Sequence, residues 1–506
     1  MMEKVIKAIL SANVYDVAIQ TPLQHAQSLS RRLQNDILLK REDLQPVFSF
    51  KLRGAYNRMA ALSPEAAQRG VIAASAGNHA QGVALAGKTL GIKTVIVMPV
   101  TTPAIKVNAV RQRGGEVKLH GDTYNDAAAF AKQLVNEKGY TFVHAFDDPL
   151  VIAGQGTVGV EMLRQHSGKM DAIFVPVGGG GLMAGMAAYI KYLRPEIKMI
   201  AVEAEDSACL QLAMQDGRRS KLKQVGLFAD GVAVNQIGQH TFRILKSCVD
   251  DVITVTTDEI CAAVKDIFDD TRAVTEPAGA LALAGIKKYV RTSGVKGQTL
   301  AAVVSGANVN FDRLSHIAER AELGESREAV LAVTIPEQPG SFRAFSQLLG
   351  RRNVTEFNYR FGDSDEAKIF VGVEVPDGLA GRQALLKELA DNGLQAHDMT
   401  DNEVAKGHIR HMVGGPSHRA IHERVFRFEF PERPGALSNF LNLLGSRWNI
   451  SMFHYRNHGA AYGRVLAGIQ VPGSDSKAFD QFLREIGYPC QEETQNVAYQ
   501  TFLAGA

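Results

Sequence analysis

At 506 residues the chain exceeds the roughly 250–300 over which one hydrophobic core keeps growing, so at least two domains are expected. With 56 lysines and arginines against 53 aspartates and glutamates the formal net charge is +3, and no long block of like charge occurs, so neither nucleic acid nor an anionic membrane is an expected partner. The four cysteines, Cys209, Cys248, Cys261 and Cys490, lie far apart with no C-x-x-C pair, which argues against a disulfide framework and a zinc site and suits a reducing cytoplasm.

Along the chain, Glu3, Lys4 and Lys7 interrupt the first apolar run, leaving no core for a signal peptide. From about residue 15 to about residue 315, short β-branched runs alternate with longer alanine-rich helical ones. Strands are predicted over 36–40, 71–74, 94–98, 173–177, 199–202 and 300–304. Nearly continuous apolar strands alternating with helices mean a buried, mostly parallel sheet covered on both faces. Ligands in such sheets bind beyond the carboxyl ends of the strands. Three of these strands are followed by polar or glycine-rich stretches, Ser75-Ala76-Gly77-Asn78-His79, Gly178-Gly179-Gly180-Gly181 and Ser305-Gly306-Ala307-Asn308, which together nominate one pocket. The uncharged run from Ala172 to Ile190 is nearly long enough to span a bilayer. Pro176 and the four glycines inside it favour a strand, a loop and a helix instead.

Ser49-Phe50-Lys51-Leu52-Arg53-Gly54 carries the chemistry. A lysine is ordinarily a solvated surface charge. Here the apolar segment Val47-Phe48-Ser49-Phe50 is expected to desolvate the amine, and Gly54 to open a helix running to Leu62. A desolvated lysine is a nucleophile suited to Schiff-base chemistry, for which the cellular electrophile is pyridoxal phosphate. That reading needs a phosphate cradle. Gly178 to Gly181, between a strand and a helix-like run, offer one through their backbone N–H groups, the alternative being a tight turn without a ligand. Gly179-Gly180-Gly181-Leu182-Met183-Ala184 also fits a dinucleotide pattern, with Glu203 about where a ribose-binding acid belongs, so an NAD-linked oxidoreductase is the rival reading. Against it, the unit comes late in the domain and leaves Lys51 and Asn78 without a role. The turn at Ser75 can hold a substrate carboxylate and Asn78 can bond a phenolic oxygen, or either residue can simply cap a helix. By itself His79 reads as structural, and Ser305 either pairs with a ring nitrogen or satisfies local backbone.

After residue 322 the pattern changes to shorter strands, and the chain repeats itself. The stretch from Val330 to Gly340, ending in Pro339-Gly340, is echoed from Val425 to Gly435, ending in Pro434-Gly435. Phe357-Asn358-Tyr359-Arg360 answers Phe453-His454-Tyr455-Arg456, and Val375-Pro376 answers Val471-Pro472. Each copy reads as βαββαβ with its first helix opening at Pro-Gly, the ferredoxin-like order. The connector, residues 403–423, holds His408 with His411 and His418 with His422 at helical spacing; lacking a third ligand, these are expected to be solvated rather than metal-bound.

Taken together, the motifs around Lys51, Asn78, Gly178 and Ser305 resemble, in order and spacing, the tryptophan-synthase-β-like, fold type II pyridoxal-phosphate enzymes. The C-terminal repeats resemble the two ACT-like regulatory modules of biosynthetic threonine dehydratases, or threonine deaminases, and the resemblance covers essentially the whole chain. It implies an α/β catalytic domain of two subdomains over residues 1–322, followed by ferredoxin-like α+β modules over 329–402 and 424–496. By resemblance Lys51 is the Schiff-base lysine, with Phe50 beside it, and Gly178, Gly179, Gly180, Gly181 and Leu182 cradle the phosphate. Asn78 bonds the cofactor's 3′-oxygen and Ser305 faces the pyridine nitrogen. Ser75, Gly77, Asn78 and His79 hold the substrate carboxylate. The resemblance implies deamination of L-threonine, with L-serine as a second candidate substrate, to 2-oxobutanoate and ammonia, the first committed step of isoleucine biosynthesis. It further implies a cytoplasmic homotetramer without a catalytic metal, inhibited by isoleucine and relieved by valine, with Tyr359 and Tyr455 where the effector pockets of such modules open. Three relatives compete, of which the cystathionine β-synthases carry different regulatory repeats. Serine racemases carry a second serine where this chain has Ala76, and catabolic dehydratases lack the tandem module. The repeats themselves leave two roles open, a sensor of amino acids or a purely structural module.

Overall fold

Val71–Ala74 and Thr94–Met98 are strands over the residues expected, and the other four apolar runs form strands whose ends shift by a residue or two, as Ala172–Pro176 and Lys198–Ala204 do. The computed structural model describes residues 2–504 apart from 325–326, 337–343, 346–347, 351, 353, 360–365, 412–419, 432–439, 441–442, 445–446 and 457–461. It divides into two units, Met1–Ala321 and Glu322–Ala506.

The first unit contains two sheets where the alternation of strands and helices predicted one. Strands β1 (Leu23–His25), β2 (Asp36–Arg41), β7 (Ala172–Pro176), β8 (Lys198–Ala204), β9 (Asp251–Val255) and β10 (Thr299–Val304) form a six-stranded sheet in the order β1-β2-β10-β7-β8-β9. Strands β3 (Val71–Ala74), β4 (Thr94–Met98), β5 (Glu116–Leu119) and β6 (Thr141–Phe142) form a four-stranded sheet in the order β5-β4-β3-β6, inserted between β2 and β7. Every pairing is parallel except β1 with β2. Alternate residues of β7 serve different cores, Ile173 and Val175 on one face, Ala172 and Phe174 on the other, which is why the strand reads as a continuous apolar run.

Seven helices of this unit frame the site: α1 (Lys51–Ala60), α2 (Asn78–Leu90), α3 (Ala104–Gln112), α4 (Pro149–Gln165), α5 (Gly181–Leu193), α6 (Gln239–Cys248) and α7 (Pro277–Ser293). Helix α1 begins at Lys51, three residues before the expected Gly54. Gly54 serves a helix crossing instead. A Cβ there would lie 2.7 Å from the Val151 carbonyl, and one at Gly154 would lie 2.6 Å from the Arg53 carbonyl, so α1 and α4 touch backbone to backbone. At Gly185 a Cβ would meet the Ile152 carbonyl at 2.3 Å, so α5 lies equally close on α4. The starts of α1 and α5 are therefore spaced by the thickness of one glycine-lined helix.

A buried ion cluster ties the same elements together. Arg53 donates to Glu42 at 2.8 Å and to Glu161 at 2.7 Å, while Lys40 donates to Glu161 and to the Thr21 carbonyl, each at 2.6 Å. Two cations balance two carboxylates, and each charge is held by hydrogen bonds, the condition under which buried charge is tolerated.

In the second unit each repeat forms a four-stranded antiparallel sheet. The first contains β11 (Glu328–Pro336), β12 (Val354–Tyr359), β13 (Glu366–Glu374) and β14 (Gln395–Asp398) in the order β12-β13-β11-β14. The second contains β15 (Glu423–Pro431), β16 (Asn449–Arg456), β17 (Tyr462–Gln470) and β18 (Cys490–Glu492) in the equivalent order β16-β17-β15-β18. This is the expected ferredoxin-like arrangement. Even the irregularity repeats, at Val354/Glu356 and at Ile450/Met452. The Pro339-Gly340 and Pro434-Gly435 helix openings lie outside the described residues. One face of each sheet packs under its own helices; the other faces share a core in which Val330, Ala332 and Phe370 join Val425 and Leu466.

Each copy continues beyond its fourth strand. Thr400 and Thr494 accept from the N–H of Val330 and Val425, each at 3.0 Å, and Asn402 and Asn496 cap short helices α8 (Glu403–Gly407) and α9 (Val497–Phe502). The two caps meet, Asn402 Nδ2 donating to Asn496 Oδ1 at 3.1 Å. The start of the connector is thus packed rather than solvated: His408 is 1 % exposed, its Nδ1 hydrogen-bonded to that of His454 at 2.7 Å. His422 is exposed, His418 lies outside the described residues, and no group of residues suited to a metal occurs among those described.

Candidate active site

Lys51 opens α1 with its amine buried, 5.1 Å from the centre of the Phe50 ring and donating to the Ala145 carbonyl at 3.4 Å. Burial pushes the amine down to about 8, with the charge of Glu276 opposing the shift. The preceding segment is buried as expected except at Phe48, which has a positive φ of 56° and is 50 % exposed. Val47, Ser49 and Phe50 supply the desolvation. Their course is fixed by Ser305 and Gly306: the Phe50 N–H donates to the Ser305 carbonyl at 3.3 Å, and Ser49 pairs with Gly306 in an isolated bridge.

Ala145 leads directly to the glycine loop, because the next residue covers it. A Cβ at Gly179 would sit 2.2 Å from the Phe146 ring, one at Gly181 3.0 Å from the Phe146 carbonyl, and one at Gly178 2.7 Å from the Val232 carbonyl. Gly180 has a φ of 88°, in the left-handed region. The Gly179 carbonyl accepts from Thr241 Oγ1 at 2.8 Å. Helix α5 starts at Gly181 with no side-chain cap, leaving the N–H groups of its first turn to a ligand.

Asn78 opens α2, but it caps nothing: the N-cap is Gly77, which has no side-chain capping bond, and Ser75 Oγ accepts from the Gly77 N–H at 3.3 Å. The Asn78 amide instead joins Glu276 and Asn308, each at 2.6 Å. The His79 ring donates through Nε2 to the Val143 carbonyl at 2.8 Å, and burial pushes its pKa down to about 3, so it is a neutral structural ring. Ser305 follows β10, buried, with Oγ donating to the Ala278 carbonyl at 3.3 Å. Leu182 is buried beside the loop.

Lys51, the glycine loop, Asn78 and Ser305 are therefore linked by a continuous series of contacts from both sheets. Sequence reasoning missed Glu276. It stands just before Pro277 at the start of α7 and reads as a helix cap, yet it makes no capping bond and turns its carboxylate to Asn78. Burial, then the charge of Asp230, push it up to about 7. Phe146 and Thr241 were equally unmarked, since an aromatic after a short strand and a threonine in a helix are ordinary. Asn308 lay within a quoted motif without a role; it also lines a cavity of about 620 Å³ with Phe48, Ile105 and Arg113. Glu203, the acid of the dinucleotide reading, is fully buried and accepts from the N–H groups of Leu210 and Gln211 at 2.8 Å, so it is spent on a helix start.

A buried amine with a lowered pKa, an uncapped helix start entered by glycines that no larger residue could replace, and an amide held between two partners fit pyridoxal phosphate. The family model described as pyridoxal-phosphate dependent enzyme matches residues 14–306, and that of the C-terminal regulatory domain of threonine dehydratase matches 319–409 and 414–503. The biosynthetic L-threonine dehydratase IlvA of Burkholderia multivorans is 57% identical over 503 residues, 99% of either chain. The mitochondrial threonine dehydratase of Saccharomyces cerevisiae is 48% identical over 98% of this chain and 89% of its own.

The chain belongs to the biosynthetic threonine dehydratases.

Among solved structures, the processed form of threonine deaminase isoform 2 from Solanum lycopersicum aligns over 64% of this chain and 88% of its own, with a TM-score of 0.63 and 47% identity. As in the rest of the dehydratase family, the cofactor is pyridoxal phosphate, and the NAD-linked reading is set aside. The duplicated second unit is the regulatory part of such an enzyme, and regulation implies small-molecule effectors. Tyr359 ends β12 opposite Ile369, and Tyr455 stands next to last in β16 opposite Val465; their side chains lie outside the described residues. Among the described residues no helix is long and apolar enough to cross a membrane.

Proposed function

We propose that the chain converts L-threonine to 2-oxobutanoate and ammonia with Lys51 as its acid–base residue, and that isoleucine inhibits it while valine opposes isoleucine. It works as a cytoplasmic homotetramer at the first committed step of isoleucine biosynthesis. The observation that carries the reaction is the Lys51 amine, buried beside a glycine cradle and lowered to about 8, where an amine exchanges protons near neutral pH.

When bound, pyridoxal phosphate supplies an aldehyde that holds an amino group and a conjugated ring that takes up the electron pair left at Cα. The N–H groups from Gly178 to Leu182 hold the phosphate, Asn78 offers an amide N–H to the ring oxygen, and Ser305 sets a neutral hydroxyl at the ring nitrogen. The turn from Ser75 to His79, where α2 begins, receives the substrate carboxylate through backbone N–H groups and the Ser75 hydroxyl. Lys51 takes the Cα proton. The Cα–H and Cβ–O bonds break, Cα=Cβ forms, and the hydroxyl leaves as water with a proton that balances the one Lys51 takes from Cα. Hydrolysis of the released aminocrotonate returns that water and frees ammonia. Ala76 supplies no second hydroxyl to reprotonate Cα, which favours elimination over racemisation. Duplication of the regulatory module and its likeness to ACT-like domains support the effector assignment, with Tyr359 and Tyr455 as contacts. Among the described residues all four cysteines are free thiols, in keeping with a reducing compartment.

The purified protein is expected to be yellow, borohydride to bleach it, and peptide mapping to place the reduced cofactor on Lys51. L-Threonine should yield 2-oxobutanoate with little epimerised amino acid, and Lys51→Ala should lower turnover at least about 1,000-fold. Near-normal turnover of that variant, or abundant D-serine from L-serine, would overturn the assignment.

A further inference from the structure

The hydrogen bonds around Asn78 run in one direction. The Val47 carbonyl can only accept, so the Asn308 group 2.8 Å from it is the donating NH₂. The same Asn308 nitrogen lies 2.6 Å from Asn78, so Asn78 turns its oxygen to Asn308. The Asn78 nitrogen then faces Glu276 Oε1, at 2.6 Å, and spends one of its two protons there. Its second N–H is left over. Val47 and Asn78 are carried by segments that meet Asn308, 230 residues beyond Asn78, only in the folded chain.

We propose that Asn308 is a positioning residue for the cofactor: its amide, anchored on the Val47 carbonyl, fixes the orientation of Asn78 so that the second Asn78 N–H is presented to the cofactor's ring oxygen. The proposal rests on the role given to Asn78 above and adds the residue that sets it. Glu276 alone is an unreliable anchor, because its carboxyl titrates near neutrality; facing it are Asp230, Lys106, which pairs with Asp230 at 2.7 Å, Arg313 at 3.6 Å from Asp230, and Lys51. Once protonated it can donate as well as accept, and would tolerate either orientation of the amide. Asn308, held by a backbone carbonyl, makes the choice independent of pH. On the Glu276 side the amide is close packed: a Cβ on Gly306 would lie 2.3 Å from Glu276 Oε1 and 3.2 Å from Asn78 Nδ2.

The test is a double-mutant cycle on cofactor affinity, read by titrating apoenzyme with pyridoxal phosphate and following fluorescence, with the absorption maximum of the bound cofactor as a second readout. Asn308→Ala should weaken binding about 10-fold and shift the maximum, with the loss larger at pH 6 than at pH 8. In an Asn78→Ala background the same substitution should change affinity less than about 2-fold, because Asn308 acts through Asn78. Equal losses in both backgrounds, or no loss in either, would overturn the proposal. If Asn78→Ala itself binds cofactor as tightly as the unaltered protein, the role of Asn78 fails first, a separate outcome. Apoenzyme unfolding temperatures accompany each measurement, and Asn308→Ser carries the same cycle, with the same outcomes, should Asn308→Ala not fold.

Discussion

Three residues from Asn78 to Ala80 open a helix, and the middle one, His79, has a ring that holds the Val143 carbonyl, next to the loop that covers the glycine cradle. Its pKa falls from 6.5 to about 3 in the folded protein, so between those values the unfolded chain binds a proton that the folded one refuses. Stability contributed by the neutral ring is therefore present above about pH 6.5 and is lost as pH falls toward 3. His79→Gln, which keeps an N–H for Val143, should flatten the decline of the urea midpoint between pH 6.5 and 4; a midpoint that falls as steeply as in the unaltered protein would refute the assignment. Lys51 was legible in the sequence because an amine after buried apolar residues has few structural uses. Glu276 was not, since a glutamate before Pro277 looks like a cap, and only the arrival of Asn78 from the other sheet gives its carboxylate a partner.

Helix α4 acts as a spacer between the start of α1, where the amine sits, and the start of α5, where the cradle sits. Gly154→Ala tests this. Alanine gains roughly 0.5–1 kcal/mol over glycine in a helix interior. Its methyl, however, would lie 2.6 Å from the Arg53 carbonyl and 2.7 Å from the Gly54 Cα, and backbone atoms cannot swing aside as a side-chain end can. Overpacking of this kind costs about 1–3 kcal/mol, so the clash wins. The variant should unfold at lower urea concentration and bind cofactor more weakly, both measurable on one preparation; an equal or raised midpoint would show that α1 and α4 can separate freely. Strands were legible because residues buried on both faces read as continuous apolar runs. The partition into two subdomains came through the family resemblance and not from composition, because β2 and β10 resemble β3 and β4 and only long-range pairing distinguishes them.

The whole molecule separates chemistry from regulation along its length, with every residue of the proposed cofactor site in the first unit and the duplicated module in the second. Ending the chain after Gly324, the last residue of the helix Arg313–Gly324, should leave threonine turnover and abolish the response to isoleucine. In the full chain, coupling of about 1–3 kcal/mol predicts a change of 5-fold or more in apparent affinity, within reach of steady-state assays. A truncated protein still inhibited by isoleucine would move the effector site into the first unit. The repeat was readable from paired motifs, although the matched turns Thr400-Asp401-Asn402 and Thr494-Gln495-Asn496 are too short to stand out in sequence. The order of strands in the larger sheet also bears on how the protein is made. A ribosome releases β2 early, yet the neighbour that flanks it on one side, β10, pairs Leu300 with Ile37 and emerges only after more than half of the polypeptide has been synthesised. Until then Lys51 lacks the Ser305 carbonyl that fixes its approach, and Asn78 lacks Asn308. Until that stretch emerges, the nascent chain lacks two groups of the proposed cofactor site and leaves one apolar edge of β2 without its neighbour, a state open to aggregation.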